Sequence, residues 1–148
     1  MELNPEAHIQ KMLQRTTPYV VNILGTEITI TSDQVYPPGQ LTEFFLEYLL
    51  NNVEIQGKTI IDLGAACSPL GVVLAKNGAE SVISVDINTD CIDCSKSNIE
   101  KHNLQNTVSA IEGNGCSSII EMYKHKCDLV IAGVPWSSMS QDQFHAVD

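Results

Sequence analysis

Residues 58–86 read Lys58-Thr59-Ile60-Ile61-Asp62-Leu63-Gly64-Ala65-Ala66-Cys67-Ser68-Pro69-Leu70-Gly71-Val72-Val73-Leu74-Ala75-Lys76-Asn77-Gly78-Ala79-Glu80-Ser81-Val82-Ile83-Ser84-Val85-Asp86. An apolar run ends in Asp62-Leu63-Gly64, small residues follow, Pro69 opens a helix-like apolar segment, and a second apolar run ends in Asp86. The pattern predicts strand, tight turn, helix and parallel strand, about one βαβ unit, with strands buried on both faces. Each strand brings a carboxylate to its C-terminal end, where open α/β sheets bind ligands.

The residue types at that corner restrict the ligand. Gly64 suits a sharp turn off the strand, and Ala66 and Ser68 are small enough for a ligand to approach the backbone. A helix starting near Pro69 carries its proline in the first turn, where the missing N–H does no harm. Its free amides attract negative charge, whereas Asp62 repels a pyrophosphate. A ligand with both an ammonium and a carboxylate suits both groups. Asp86 lies 22 residues after Gly64, the usual reach of an acid that accepts from ribose hydroxyls. The pocket therefore favours a nucleoside with an amino-acid tail. The alternative is an α/β turn whose small residues serve helix–strand packing alone.

These residues resemble the class I S-adenosylmethionine-dependent methyltransferases, whose first motif runs roughly Asp-x-Gly-x-Gly-x-Gly with an acid at the end of the next strand. Asp62, Gly64 and Asp86 match, while Ala66 and Ser68 replace two glycines, each adding a Cβ that restricts the turn. The resemblance implies a Rossmann-like α/β fold with a largely parallel, partial sheet of strand order 3-2-1-4. It implies S-adenosyl-L-methionine as cofactor, with Asp62 at the amino-acid part, Gly64, Ala66 and Ser68 along the turn, and Asp86 on the ribose.

Working outward toward the N-terminus, Pro5 to Arg15 carries a short helical rhythm. Tyr19–Leu24 and Glu27–Thr31, β-branched and flanking Gly25-Thr26, predict a β-hairpin. A loop through Pro37-Pro38-Gly39 leads into a helix from about Leu41 to Asn51, with an apolar stripe of Leu41, Phe44, Phe45, Tyr48 and Leu49. This lead-in resembles that of the release-factor glutamine N5-methyltransferases, in which a proline segment and a Thr-Glu pair cover the cofactor edge. Pro38, Thr42 and Glu43 hold the matching positions; the alternative for Thr42-Glu43 is a favourable first helical turn. The division expected is 1–34 as lead-in and 35–148 as an incomplete methyltransferase-like domain, together one compact unit.

Beyond Asp86, a helix is expected from Thr89 to His102, a strand at Thr107–Ile111, a short helix within Ser117–Tyr123 and a fourth strand at Cys127–Ala132. Asn114 stands where the family has an acid toward the adenine amino group, and its amide oxygen still accepts; a plain turn residue is the competing reading. After the fourth strand comes Gly133-Val134-Pro135-Trp136, where the Asn-Pro-Pro-Tyr N-methyltransferases hold the acceptor nitrogen. Pro135 and Trp136 keep the turn and the aromatic face of that acceptor site, and Gly133 lacks the gripping amide. The resemblance to that group implies transfer to nitrogen, and holding its lone pair in line with the methyl is most of such chemistry.

Composition bounds the partners. At 148 residues, 43% hydrophobic and 18% charged, the chain fits one globular domain. A net charge of −10 with eight Lys and Arg argues against nucleic acid and for a protein or small-molecule acceptor. No apolar stretch is long enough for a membrane span and no signal-peptide core opens the chain, so a cytoplasmic location is expected. The five cysteines read as reduced thiols, and the C-x-x-C of Cys91 and Cys94 reads as buried helix residues rather than a metal or redox site. Few residues follow Trp136 compared with the further strands of a complete family sheet. The fourth strand is therefore expected at an edge, covered by self-association or a partner. A catalytically silent binding or interaction module is the second functional reading. A nicotinamide dehydrogenase fails because its glycine pattern counted from Gly64 meets Ala66 and Pro69.

Overall fold

The computed structural model describes residues 15–133; the expected helix at Pro5–Arg15 lies outside them but for Arg15. The chain opens with an antiparallel hairpin, β1 (Tyr19–Ile23) and β2 (Thr26–Ile30), followed by α1 (Gln40–Asn52). Then come β3 (Thr59–Leu63), α2 (Pro69–Lys76), β4 (Ser81–Asp86), α3 (Thr89–Lys101), β5 (Val108–Glu112), the single turn α4 (Ile120–Tyr123) and β6 (Leu129–Ala132). The four later strands form one parallel sheet in the order β5-β4-β3-β6. Counted within the sheet, that is the expected 3-2-1-4.

The hairpin turn differs from expectation by one residue. Its corner is Leu24-Gly25, at φ 48° and 79°, because a two-residue turn that matches strand twist needs positive φ at both corners. Asn22 Oδ1 accepts from the Gly25 amide at 2.9 Å and secures it.

Strand alternation divides the sheet into two faces. Ile60, Val82, Val108 and Ile131 join one core cluster with Ile23, Ile28 and Ile30 of the hairpin, Leu46 and Leu49 of α1, Val72–Leu74 of α2 and Cys94 and Ile99 of α3. Ile61, Ile83 and Val85 form a smaller cluster with Ile119 on the other face. Asp62, Ser84 and Asp86 share the parity of Ile60 and Val82, so the strand-tip carboxylates rise from the heavily covered face.

The apolar stripe expected on α1 divides. Leu49 is buried, with Leu46, but Leu41, Phe44 and Tyr48 are 74%, 68% and 55% exposed. The helix turns Leu46 and Leu49 inward because their i, i+3 spacing meets the hairpin isoleucines in one cluster, which leaves Leu41 and the aromatic side outward.

Candidate active site

The turn after β3 is built from backbone. Gly64 and Ala65 both donate to the Val85 carbonyl, at 2.9 and 3.1 Å, and the Ser68 amide donates to the Ala65 carbonyl at 2.8 Å. Three of five residues take left-handed conformations: Gly64 at φ 74°, Ala66 at 49° and Ser68 at 58°. Gly64 has no substitute, since a Cβ there would lie 2.7 Å from the Gly133 carbonyl oxygen. Ala66 and Ser68, at two glycine positions of the motif, each carry a cost of about 1–2 kcal/mol for the left-handed region.

Ser68 precedes α2, which begins at Pro69 as expected, yet its hydroxyl does not cap the helix. It is fully buried and lies 2.6 Å from the Ser84 hydroxyl. Ser68 thus reaches the site through its backbone, with its side chain in the core.

Asp86 closes the turn from the next strand. Its Oδ2 accepts from the Ala66 amide at 2.8 Å and its Oδ1 from the Asn88 amide at 3.0 Å. A carboxylate has about four lone-pair sites, so both oxygens can still accept from a ligand. Asp62, one strand over, is 2% exposed and its Oδ2 has no hydrogen-bond partner among the described residues. Burial, with a smaller contribution from the charge of Asp86, pushes its carboxyl up to about 7. The ion pairs among the described residues, Lys96–Asp93 and Lys101–Glu27, involve neither acid. A buried acceptor of this kind marks a candidate functional site.

The remaining candidates lie farther from this corner or engage elsewhere. Thr42 accepts from the Gly39 amide at 3.4 Å at the start of α1, and Glu43 Oε1 accepts from Leu24 at 3.3 Å, tying helix to hairpin. Asn114 is exposed in the bend after β5, its backbone carbonyl accepting from Ser117 at 2.6 Å. Cys91 and Cys94 are buried within α3. Pro135 and Trp136 lie outside the described residues. Among the described residues no cluster of three metal-ligating side chains occurs, and no helix is long and apolar enough to cross a membrane. An open concavity lined by Arg15, Tyr19 and Asn22 shares no residue with the carboxylate corner.

Two residues were missed in the sequence. Ile87, directly after Asp86, is an apolar side chain 63% exposed beside the corner. Glu112 ends β5 in register with Asp86 and accepts from the Thr89 hydroxyl at 3.2 Å. The signal for Glu112 was its place at a strand end, one register step from a residue already chosen.

The profile of the family described as methyltransferase small domain matches residues 32–148. The chain belongs to this family. A protein of Methanocaldococcus jannaschii assigned as an N5-glutamine methyltransferase is 24% identical over 124 residues, 84% of this chain and 58% of that one. The ribosomal protein L11 methyltransferase of Desulforamulus reducens is 29% identical over 93 residues, 63% of this chain and 29% of that one. The rRNA N(6)-adenosine-methyltransferase METTL5 of Danio rerio is 30% identical over 105 residues, covering 70% and 50%. The methyltransferase small domain chain thus spans 29–58% of the length of these relatives. In fold it resembles SMU.776, a protein assigned as a methyltransferase and crystallised with SAH, at TM-score 0.67 and 16% identity over 87% of this chain and 35% of that one. It also resembles Trm5b from Pyrococcus abyssi, at TM-score 0.59 and 25% identity, covering 68% and 29%.

Proposed function

We propose that this methyltransferase small domain binds S-adenosylmethionine and transfers its methyl group to a nitrogen acceptor on a protein or small molecule. The observation that carries the reading is the unpartnered Oδ2 of Asp62, buried beside a turn of small residues. The residues fit the cofactor on that ground. Asp62 would meet the ammonium of the methionine part, Gly64 and Ala66 would give backbone access, and Asp86 would take the ribose hydroxyls. Asn114 would face the adenine from the bend after β5. The cofactor supplies an electrophilic methyl on a sulfonium; the protein's task is to orient it and hold the acceptor.

The nitrogen acceptor is supported by the names of relatives that act on glutamine N5 and adenosine N6. Protein is favoured over RNA by the net charge of −10. Pro135 and Trp136 would shape the acceptor site. A second copy or another partner would run alongside β6, whose Val130 is 48% exposed; light scattering that finds a monomer at micromolar concentration overturns the second copy.

Calorimetry with S-adenosylmethionine and S-adenosylhomocysteine tests the cofactor, and transfer of a radiolabelled methyl group to lysate proteins tests catalysis. Absence of binding to either nucleoside defeats the proposal. A catalytically silent module is the second reading, favoured by Gly133, which has no side-chain amide at the end of β6. Binding without transfer would select it.

A further inference from the structure

The turn Gly64–Ser68 holds two residues with a Cβ in left-handed conformations, and such backbone persists only where its surroundings over-determine it. One helix supplies the determination. Ser95 and Asn98, both fully buried and one turn apart on α3, point at the turn. Ser95 Oγ donates to the Ala66 carbonyl at 2.8 Å. Asn98 Nδ2 donates to the Cys67 carbonyl at 3.1 Å and to the Thr29 carbonyl at 2.9 Å, while Asn98 Oδ1 accepts from the Thr29 amide at 2.8 Å. The Ala66 amide, on the other side of that residue, is held by Asp86. Ala66 is therefore pinned at its N–H by a strand-tip acid and at its carbonyl by a helix hydroxyl.

We infer that Ser95 and Asn98 are positioning residues for the cofactor turn, holding it in ligand-ready shape with alanine and serine in place of glycine and latching it to the hairpin. Neither side chain touches the ligand surface; both act through the carbonyls of Ala66 and Cys67. The inference rests on the cofactor reading above for its functional consequence, but not for the clamp itself. A glycine at position 66 adopts the left-handed region without the Cβ penalty, so the strain that Ser95 holds in check is relieved when Ala66 is replaced. A merely structural hydroxyl would show no such dependence.

The experiment measures two quantities on the full chain: amide hydrogen exchange at Ala66 and Ser68, and calorimetric affinity for S-adenosylhomocysteine. Ser95→Ala is expected to accelerate exchange at both amides and to weaken binding about tenfold, the weight of one hydrogen bond. Ser95→Ala combined with Ala66→Gly is expected to return affinity to within about threefold of the parent, a fraction of one hydrogen bond. Asn98→Ala accelerates exchange at Ser68 and at the Thr29 amide together. Unchanged exchange in Ser95→Ala overturns the clamp, and faster exchange with unchanged affinity, or no rescue by Ala66→Gly, overturns the positioning role. If the parent does not bind the nucleoside at all, the cofactor reading falls, and the exchange data alone decide the clamp.

Discussion

The carboxylate of Asp86 accepts the backbone amide of Ala66 at 2.8 Å across a separation of twenty residues. That bond joins the tip of β4 to the turn leaving β3 and brings a second acid within electrostatic reach of Asp62. Much of what can be tested follows from this pair of neighbouring strand tips.

Asp62 costs stability when ionised. Its folded-state pKa, about 7, lies above that of an exposed aspartate. The folded protein therefore holds a proton that the unfolded chain has released between about pH 4 and pH 7, and stability falls as pH rises through that window. Asp62→Asn keeps the size and removes the charge. It is expected to be the more stable protein at pH 8, by on the order of 4 kcal/mol, with the difference shrinking toward pH 4. Urea denaturation at pH 4.5, 6 and 8 checks it; equal pH profiles for the two proteins would refute it.

The same proton governs the ligand. On the proposed cofactor reading an ammonium pairs with ionised Asp62, so affinity for S-adenosylhomocysteine is expected to fall about tenfold per pH unit below 7 and to level off above. Adenosine, which has no ammonium, should show no such slope. Calorimetry across pH 5.5–8 with both compounds distinguishes the cases, and parallel slopes would remove Asp62 from the amino-acid end.

Gly64→Ala sets a Cβ against the Gly133 carbonyl at a residue with φ 74°. Loss of about 2 kcal/mol or more of stability is expected, from strain and from parting the tips of β3 and β6. Thermal unfolding provides the measurement; a variant as stable as the parent would show that the tips separate freely.

Asp86→Asn removes the smaller of the two causes that raise Asp62. The Asp62 carboxyl should titrate lower than about 7 and yet remain above the ordinary carboxylate range, because burial is the larger cause. Carbon-detected NMR titration of Asp62 reads this directly. No movement would mean that the two acids do not feel each other.

Local pattern carried the sheet and placed the two acids of the candidate site at neighbouring strand tips. Apolar runs of strand length around a glycine turn announced β3, α2 and β4, and the Pro69 start of α2 followed from the chemistry of a helix first turn. Asp62, Gly64 and Asp86 were legible because strand tips are fixed by the same runs. The α1 stripe was misjudged where two apolar faces competed: periodicity recognises an amphipathic helix, but the choice between Leu46-Leu49 and Phe44-Tyr48 belongs to the hairpin packed against it.

Composition and spacing alone determined an α/β unit with acids at adjacent strand ends, since hydrophobic periodicity and turn chemistry are local properties of the chain. Only the tertiary structure decided that Ser68 faces Ser84, that Asp62 Oδ2 finds no partner among the described residues, and that Ser95 and Asn98 reach back to the turn. Those relationships join residues 16 to 31 positions apart or depend on what surrounds a side chain in space, and hydrogen-bond satisfaction is a property of the packed whole.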